Sequence, residues 1–93
     1  MKWLEIIELR SVEKDKKSLE HRIEYILQEM KKECRCGDIR AYRCAMIETD
    51  FSIHLFHATE EVETGGSQAG LCLVAALREF GLVNHSIWTE TFD

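Results

Sequence analysis

The spacing of apolar residues changes along the chain, and each change marks an element. Residues 3–10, WLEIIELR, are short, aliphatic and interrupted only by Glu5 and Glu8 before the terminal arginine. Alternation sets Trp3, Ile7 and Leu9 on one side and Leu4 and Ile6 on the other. This predicts a strand with apolar residues on both faces, the pattern of a sheet covered twice. From Val12 to Glu33 the period lengthens. Leu19, Ile23, Ile26, Leu27 and Met30 recur at three- and four-residue steps, one stripe of an amphipathic helix. Ser11 is placed to cap it and Gly37 to end it. Lys14, Asp15, Lys17, Glu20, Glu24, Lys31 and Lys32 fall on its other face, which reads as solvated.

Ile39 to Glu48 and Phe51 to Ala58 alternate again, across Thr49-Asp50. A two-residue turn there sets Glu48 opposite Phe51, Met46 opposite Ile53 and Cys44 opposite Leu55. One face of this hairpin then holds Tyr42, Cys44, Met46, Ile53, Leu55 and His57. The other holds Ala41, Arg43, Ala45, Ile47, Ser52, His54 and Phe56. An acidic loop with Glu60, Glu61 and Glu63 leads to Gly65-Gly66. A second helix is predicted from Ser67 or Gln68 to Phe80, stopped by Gly81. From Ala69 to Leu77 it has no charged or strongly polar side chain, which predicts burial nearly all round. Leu82 to Phe92 reads as a last strand, with Trp88 and Phe92 on one face and Val83 and Ile87 on the other.

The order strand, helix, strand, strand, helix, strand predicts an α+β chain with the ferredoxin-like split βαβ arrangement. That is a four-stranded antiparallel sheet with both helices on one face. A length of 93 residues allows one such domain, 1–93, and no separate catalytic half. The uncovered face would hold Ile47 and Phe56 with a large residue from each outer strand, so a homodimer closed through the open sheet face is expected.

Charge sharpens the picture. The net charge is -5, and the helix at 13–33 contributes none of it, with six acids and six bases. An acidic chain without a basic run or the aromatic signature of RNA-binding sheets argues against a nucleic-acid partner. The first residues run straight into charge, and the longest uncharged stretch, Thr64 to Leu77, is too short to span a bilayer. A soluble cytoplasmic protein with no membrane partner is the expectation.

The element order and the two-sided sheet resemble the dimeric α+β-barrel group, which includes the antibiotic-biosynthesis monooxygenase-like domains. The resemblance covers nearly the whole chain. It implies a small cytoplasmic dimer with a cavity between helices and sheet for an aromatic or other small molecule, and some members of the group oxidise quinol-like substrates without a cofactor. No catalytic motif accompanies it. ACT-type regulatory domains share the element order, so a non-catalytic ligand-sensing or protein-interaction module is the alternative.

Candidate chemistry is sparse. His21 falls on the charged helix face. His54 and His57 are three apart on one strand and so point to opposite faces. His57 and His85 are candidates for a general base or substrate-orienting group in a helix-side cavity lined by Tyr42, His57, His85 or Trp88. Gly65, Gly66 and Ser67 precede a helix, where backbone N–H groups could hold a carboxylate or phosphate, although the P-loop pattern is missing. Cys34-Arg35-Cys36 is too closely spaced for a zinc pair, and Arg35 could lower a thiol pKa there. Cys44 and Cys72 read as small core residues. No metal and no cofactor is expected.

Overall fold

The computed structural model describes residues 2–12, 15–33 and 38–92. Six main elements follow in order: β1 (Trp3–Ser11), α1 (Lys16–Glu33), β2 (Asp38–Arg43), β3 (Asp50–His57), α2 (Gln68–Leu77, extended by a 3-10 turn over Arg78–Phe80) and β4 (Gly81–Thr89). The strands form one antiparallel sheet in the order β2-β3-β1-β4. This is the predicted ferredoxin-like α+β arrangement. Among the described residues no helix is long and apolar enough to cross a membrane.

Both helices pack on one face. Leu19, Ile23 and Leu27 of α1 and Leu73, Val74 and Leu77 of α2 meet Ile7 and Leu9 of β1, Ile39 of β2 and Phe51, Ile53 and Leu55 of β3. The period of two along β1 and β3 is complete: every odd residue from Trp3 to Leu9 and from Phe51 to His57 is buried. Burial of each large aliphatic side chain in this layer is worth about 1.5–3 kcal/mol.

Several sequence expectations need correction. α1 starts at Lys16, because Asp15 caps it: its Oδ1 accepts from the Ser18 N–H at 3.2 Å. Ser11 instead ends β1 and donates its N–H to the Thr49 carbonyl at 3.0 Å. Gly37, Cys34 and Cys36 lie outside the described residues. β2 ends at Arg43, and residues 44–49 form a loop that closes when the Cys44 N–H meets the Asp50 carbonyl at 2.8 Å. Ala41, not Met46, therefore faces Ile53, and Tyr42 faces Ser52. A displacement by an odd number of positions exchanges the two faces of β2. Tyr42 moves to the open face, Cys44 becomes exposed, and Met46 and Ile47 are exposed in the loop.

α2 is buried along one stripe only, Gly70, Leu73, Val74 and Leu77, because a single sheet face lies beneath it. Leu71 and Cys72 face outward, so neither cysteine expected in the core is there. β4 stops at Thr89, three residues before the expected end, and Phe92 is exposed beyond it. The open face is thus built differently from the expectation. Its first cross-strand row is Asp38, Phe56, Leu4 and Trp88, and its second is Arg40, His54, Ile6 and Ser86.

Candidate active site

One residue breaks the apolar inner row of β1. Glu5 lies between Trp3 and Ile7 on the helix-covered face and is 0% exposed. Leu55 of β3 and Ile87 of β4 stand directly beside it, which puts His57 and His85 at its two diagonals. Both imidazoles turn to the carboxylate: His57 Nε2 is 2.6 Å from Oε2, and His85 Nε2 is 2.9 Å from Oε1. From above, the first residue before α2 completes the cage. The Ser67 N–H donates to Oε1 at 3.0 Å and its hydroxyl donates to Oε2 at 2.5 Å. The same hydroxyl oxygen accepts from the Gly70 N–H at 3.0 Å and so caps the helix.

Two glycines make room for this approach. A Cβ on Gly70 would stand 2.1 Å from Glu5 Oε1, and one on Gly66 would stand 2.4 Å from His85 Cε1. Gly66 also has φ +97°, a conformation that favours glycine. On the far side, the His57 ring stacks on Trp3 with centroids 4.1 Å apart, and Trp3 Nε1 donates to Thr59 Oγ1 at 2.9 Å. No buried side-chain polar atom among the described residues lacks a partner.

Burial pushes the Glu5 carboxyl up, but the hydrogen bonds from the Ser67 hydroxyl, His57, His85 and the Ser67 N–H outweigh it. The net effect holds the group below its ordinary range. Glu5 is therefore a carboxylate, which only accepts, so each histidine presents Nε2–H to it. That sets Nε2 as the donor and leaves Nδ1 as the ring nitrogen not engaged by Glu5. A carboxylate that orients an imidazole and stabilises its cation is the general design of a histidine base. Among the described residues no group of three or more His, Cys, Asp or Glu has an arrangement that could hold a metal ion.

His57 also lines a cleft of about 750 Å³ at the end of the sheet. Its apolar lining comes from Trp3, Leu4, Phe56 and Trp88, and its charged rim from Lys2, Arg40, Asp38 and Glu90. The volume is within the usual range of small-molecule sites, about 300–1,000 Å³. The cavity expected between α2 and the sheet is replaced near His85 by the packed Glu5 cage, and the cleft opens instead around the first residues of β1.

The structure thus brings His57 and His85 together and puts Trp88 with His57 in one cleft. Tyr42 lies apart on the open face, its ring 5.0 Å from that of His54. Of Gly65, Gly66 and Ser67, it is Ser67 that meets a carboxylate, and that carboxylate is the chain's own Glu5. Glu5 is the residue that sequence reasoning missed. Its signal was there: a single acid in the buried parity of Trp3, Ile7 and Leu9 must find partners, because an unpaired buried charge is too costly.

No family model matches the sequence, and no curated protein matches it. Solved structures match over nearly the full length. Rv0793 from Mycobacterium tuberculosis gives a TM-score of 0.68 at 14% identity, over 100% of this chain and 98% of that one. SnoaB, a cofactor-independent oxygenase from Streptomyces nogalater, gives 0.71 at 10% identity, over 99% and 95%. A Bordetella bronchiseptica protein that provisionally carries the name antibiotic biosynthesis monooxygenase gives 0.68 at 9%, over 98% of each chain. The chain has the ferredoxin-like α+β fold of the antibiotic-biosynthesis monooxygenase-like proteins, as the resemblance of its element order implied.

Proposed function

We propose that the chain binds a flat hydroxylated aromatic compound in the cleft at the sheet's end, and that His57, oriented by Glu5, takes the hydroxyl proton in a monooxygenase-like reaction. The observation that carries this reading is the 2.6 Å Glu5–His57 pair at the wall of a cleft with three aromatic side chains. Phe56 and Trp88, on the open face, offer ring surface to a planar ligand. Deprotonation makes the ring electron-rich enough to reduce dioxygen. If a ring CH₂ becomes C=O, the substrate supplies all four electrons; one oxygen atom enters the product and the other leaves as water. The SnoaB likeness supports a reaction of this class without a cofactor.

The test uses 1,8-dihydroxyanthrone, with binding read from tryptophan fluorescence and turnover from oxygen uptake. His57→Gln keeps an N–H donor for Glu5 but has no ring nitrogen to act as a base. It is expected to bind the compound and to lose oxygen uptake by at least 100-fold, the lower range for general-base removal of about 10²–10⁴. Unchanged uptake in the variant would remove His57 as the base. Binding without turnover in the native chain would favour the ligand-sensing alternative.

The same reading places a second copy of the chain on the open sheet face. Its support is the apolar surface there: Trp88 is 57% and Leu82 74% exposed, beside half-buried Leu4, Ile6 and Phe56. A copy laid across β1 and β3 would roof the cleft.

A further inference from the structure

The cleft has an apolar floor and one oriented cation at its edge, and we infer that Arg40 is an anchor for an acidic substituent, so that the ligand class is an aromatic compound bearing a carboxylate. This rests on the cleft being the ligand site. Arg40 Nε donates to Asp38 Oδ2 at 2.8 Å. An exposed pair of this kind contributes little stability. Its value lies in orientation. With Nε held by Asp38 and a further bond to the Tyr42 side chain, the guanidinium plane is fixed and its remaining N–H groups are left for a carboxylate.

The position of Arg40 suits that role. Phe56 and Leu4 sit side by side in the first row of the open face, and Arg40 stands in the second row on the edge strand β2. Two residues along a strand span about 6–7 Å, close to the reach of a ring carboxylate plus its hydrogen bond to a guanidinium. A ring lying on Phe56 and Leu4 therefore brings its acid group to Arg40 while its opposite edge points to the end of the sheet, where Lys2, Ala58 and Glu90 line the cleft. Asp38 would repel such a group if it faced the cleft unpaired, but its carboxylate is engaged by Arg40 and held below the usual range by that bond. Lys2 and Glu90, at the same cleft, carry opposite charges, which leaves Arg40 as the cation the strands hold in place.

A matched pair of probes isolates the anchor: hydroquinone and 2,5-dihydroxybenzoate, which differ by one carboxylate. Each is titrated against the native chain and Arg40→Gln at fixed ionic strength, with tryptophan fluorescence as the readout and a thermal melt to verify folding. The acid is expected to bind the native chain about tenfold more tightly than hydroquinone, and that ratio is expected to fall toward one in Arg40→Gln and to recover in part in Arg40→Lys. Equal binding of the two probes to the native chain, or a ratio that survives Arg40→Gln, would overturn the anchor and leave the cleft reading intact. If neither probe bound, the cleft reading would fail and the anchor with it.

Discussion

His54 and His57 stand three residues apart on β3, and each has one hydrogen-bond partner, yet the two faces of the sheet give them different chemistry. His54, on the open face, meets the Ser52 hydroxyl at 2.9 Å and lies near the rings of Tyr42 and Phe56. His57, under the helices, meets a buried carboxylate that also serves His85 and Ser67. A hydroxyl can donate or accept, so it leaves the His54 tautomer open. A carboxylate cannot donate, so it fixes that of His57. The comparison teaches that the chemistry of the partner, an acceptor that cannot donate, more than its proximity, orients an imidazole.

The largest effect that tests this contrast is on stability. Glu5→Ala strips the acceptor from two imidazoles and from Ser67 in a dry site, and is expected to cost about 3–5 kcal/mol in urea unfolding. His54→Gln on the open face is expected to stay within about 0.5 kcal/mol of the native chain. Equal losses would erase the distinction between the faces.

Acid gives a smaller and graded effect. The folded-state pKa of Glu5 is lowered from an ordinary 4.5, so the unfolded chain takes up the proton first as pH falls. Its stabilisation is present in full above the unfolded pKa and is lost as pH falls through the folded one. Stability measured from pH 6 down to pH 3 is expected to decline for the native chain, and the decline to be shallower in Glu5→Gln. Identical slopes would mean that the Glu5 hydrogen bonds do not distinguish its charged form.

The open face gives the smallest change in the fold itself. Trp88→Glu is expected to leave the urea midpoint of a diluted sample within about 0.5 kcal/mol, while weakening self-association at least tenfold by light scattering. A native chain that stays at 10.8 kDa at micromolar concentration would dispose of the second copy on this face.

The element order was legible because the periods of two and 3.6 are clean in β1, β3 and α1. The register of β2 was not. Between residues 41 and 47 the alternate faces read Tyr, Cys, Met and Ala, Arg, Ala, Ile, so both are mixed and neither pins the pairing. What decides it is Ile39 against Leu55, one buried contact outweighing a longer but looser pattern. At the site, parity alone was enough to place His57 and His85 toward the helices. Glu5 was obscured because a single acid in a strand reads as a polar interruption until the burial of its neighbours is known. The capping bond of Ser67 reaches only to Gly70, but its other bond, to a residue 62 positions earlier, is tertiary and leaves no local trace.

The Glu5 cage also has a consequence for the order of assembly. Its partners lie 52, 62 and 80 residues further along the chain. A carboxylate near the first residues can lose its water without loss only after β3, the start of α2 and finally β4 have arrived. Contacts of such long range carry a loop-closure cost that slows their formation. The carboxylate is therefore fully partnered only in a chain whose last strand has docked. Completion of the fold and completion of the Glu5 cage are the same event.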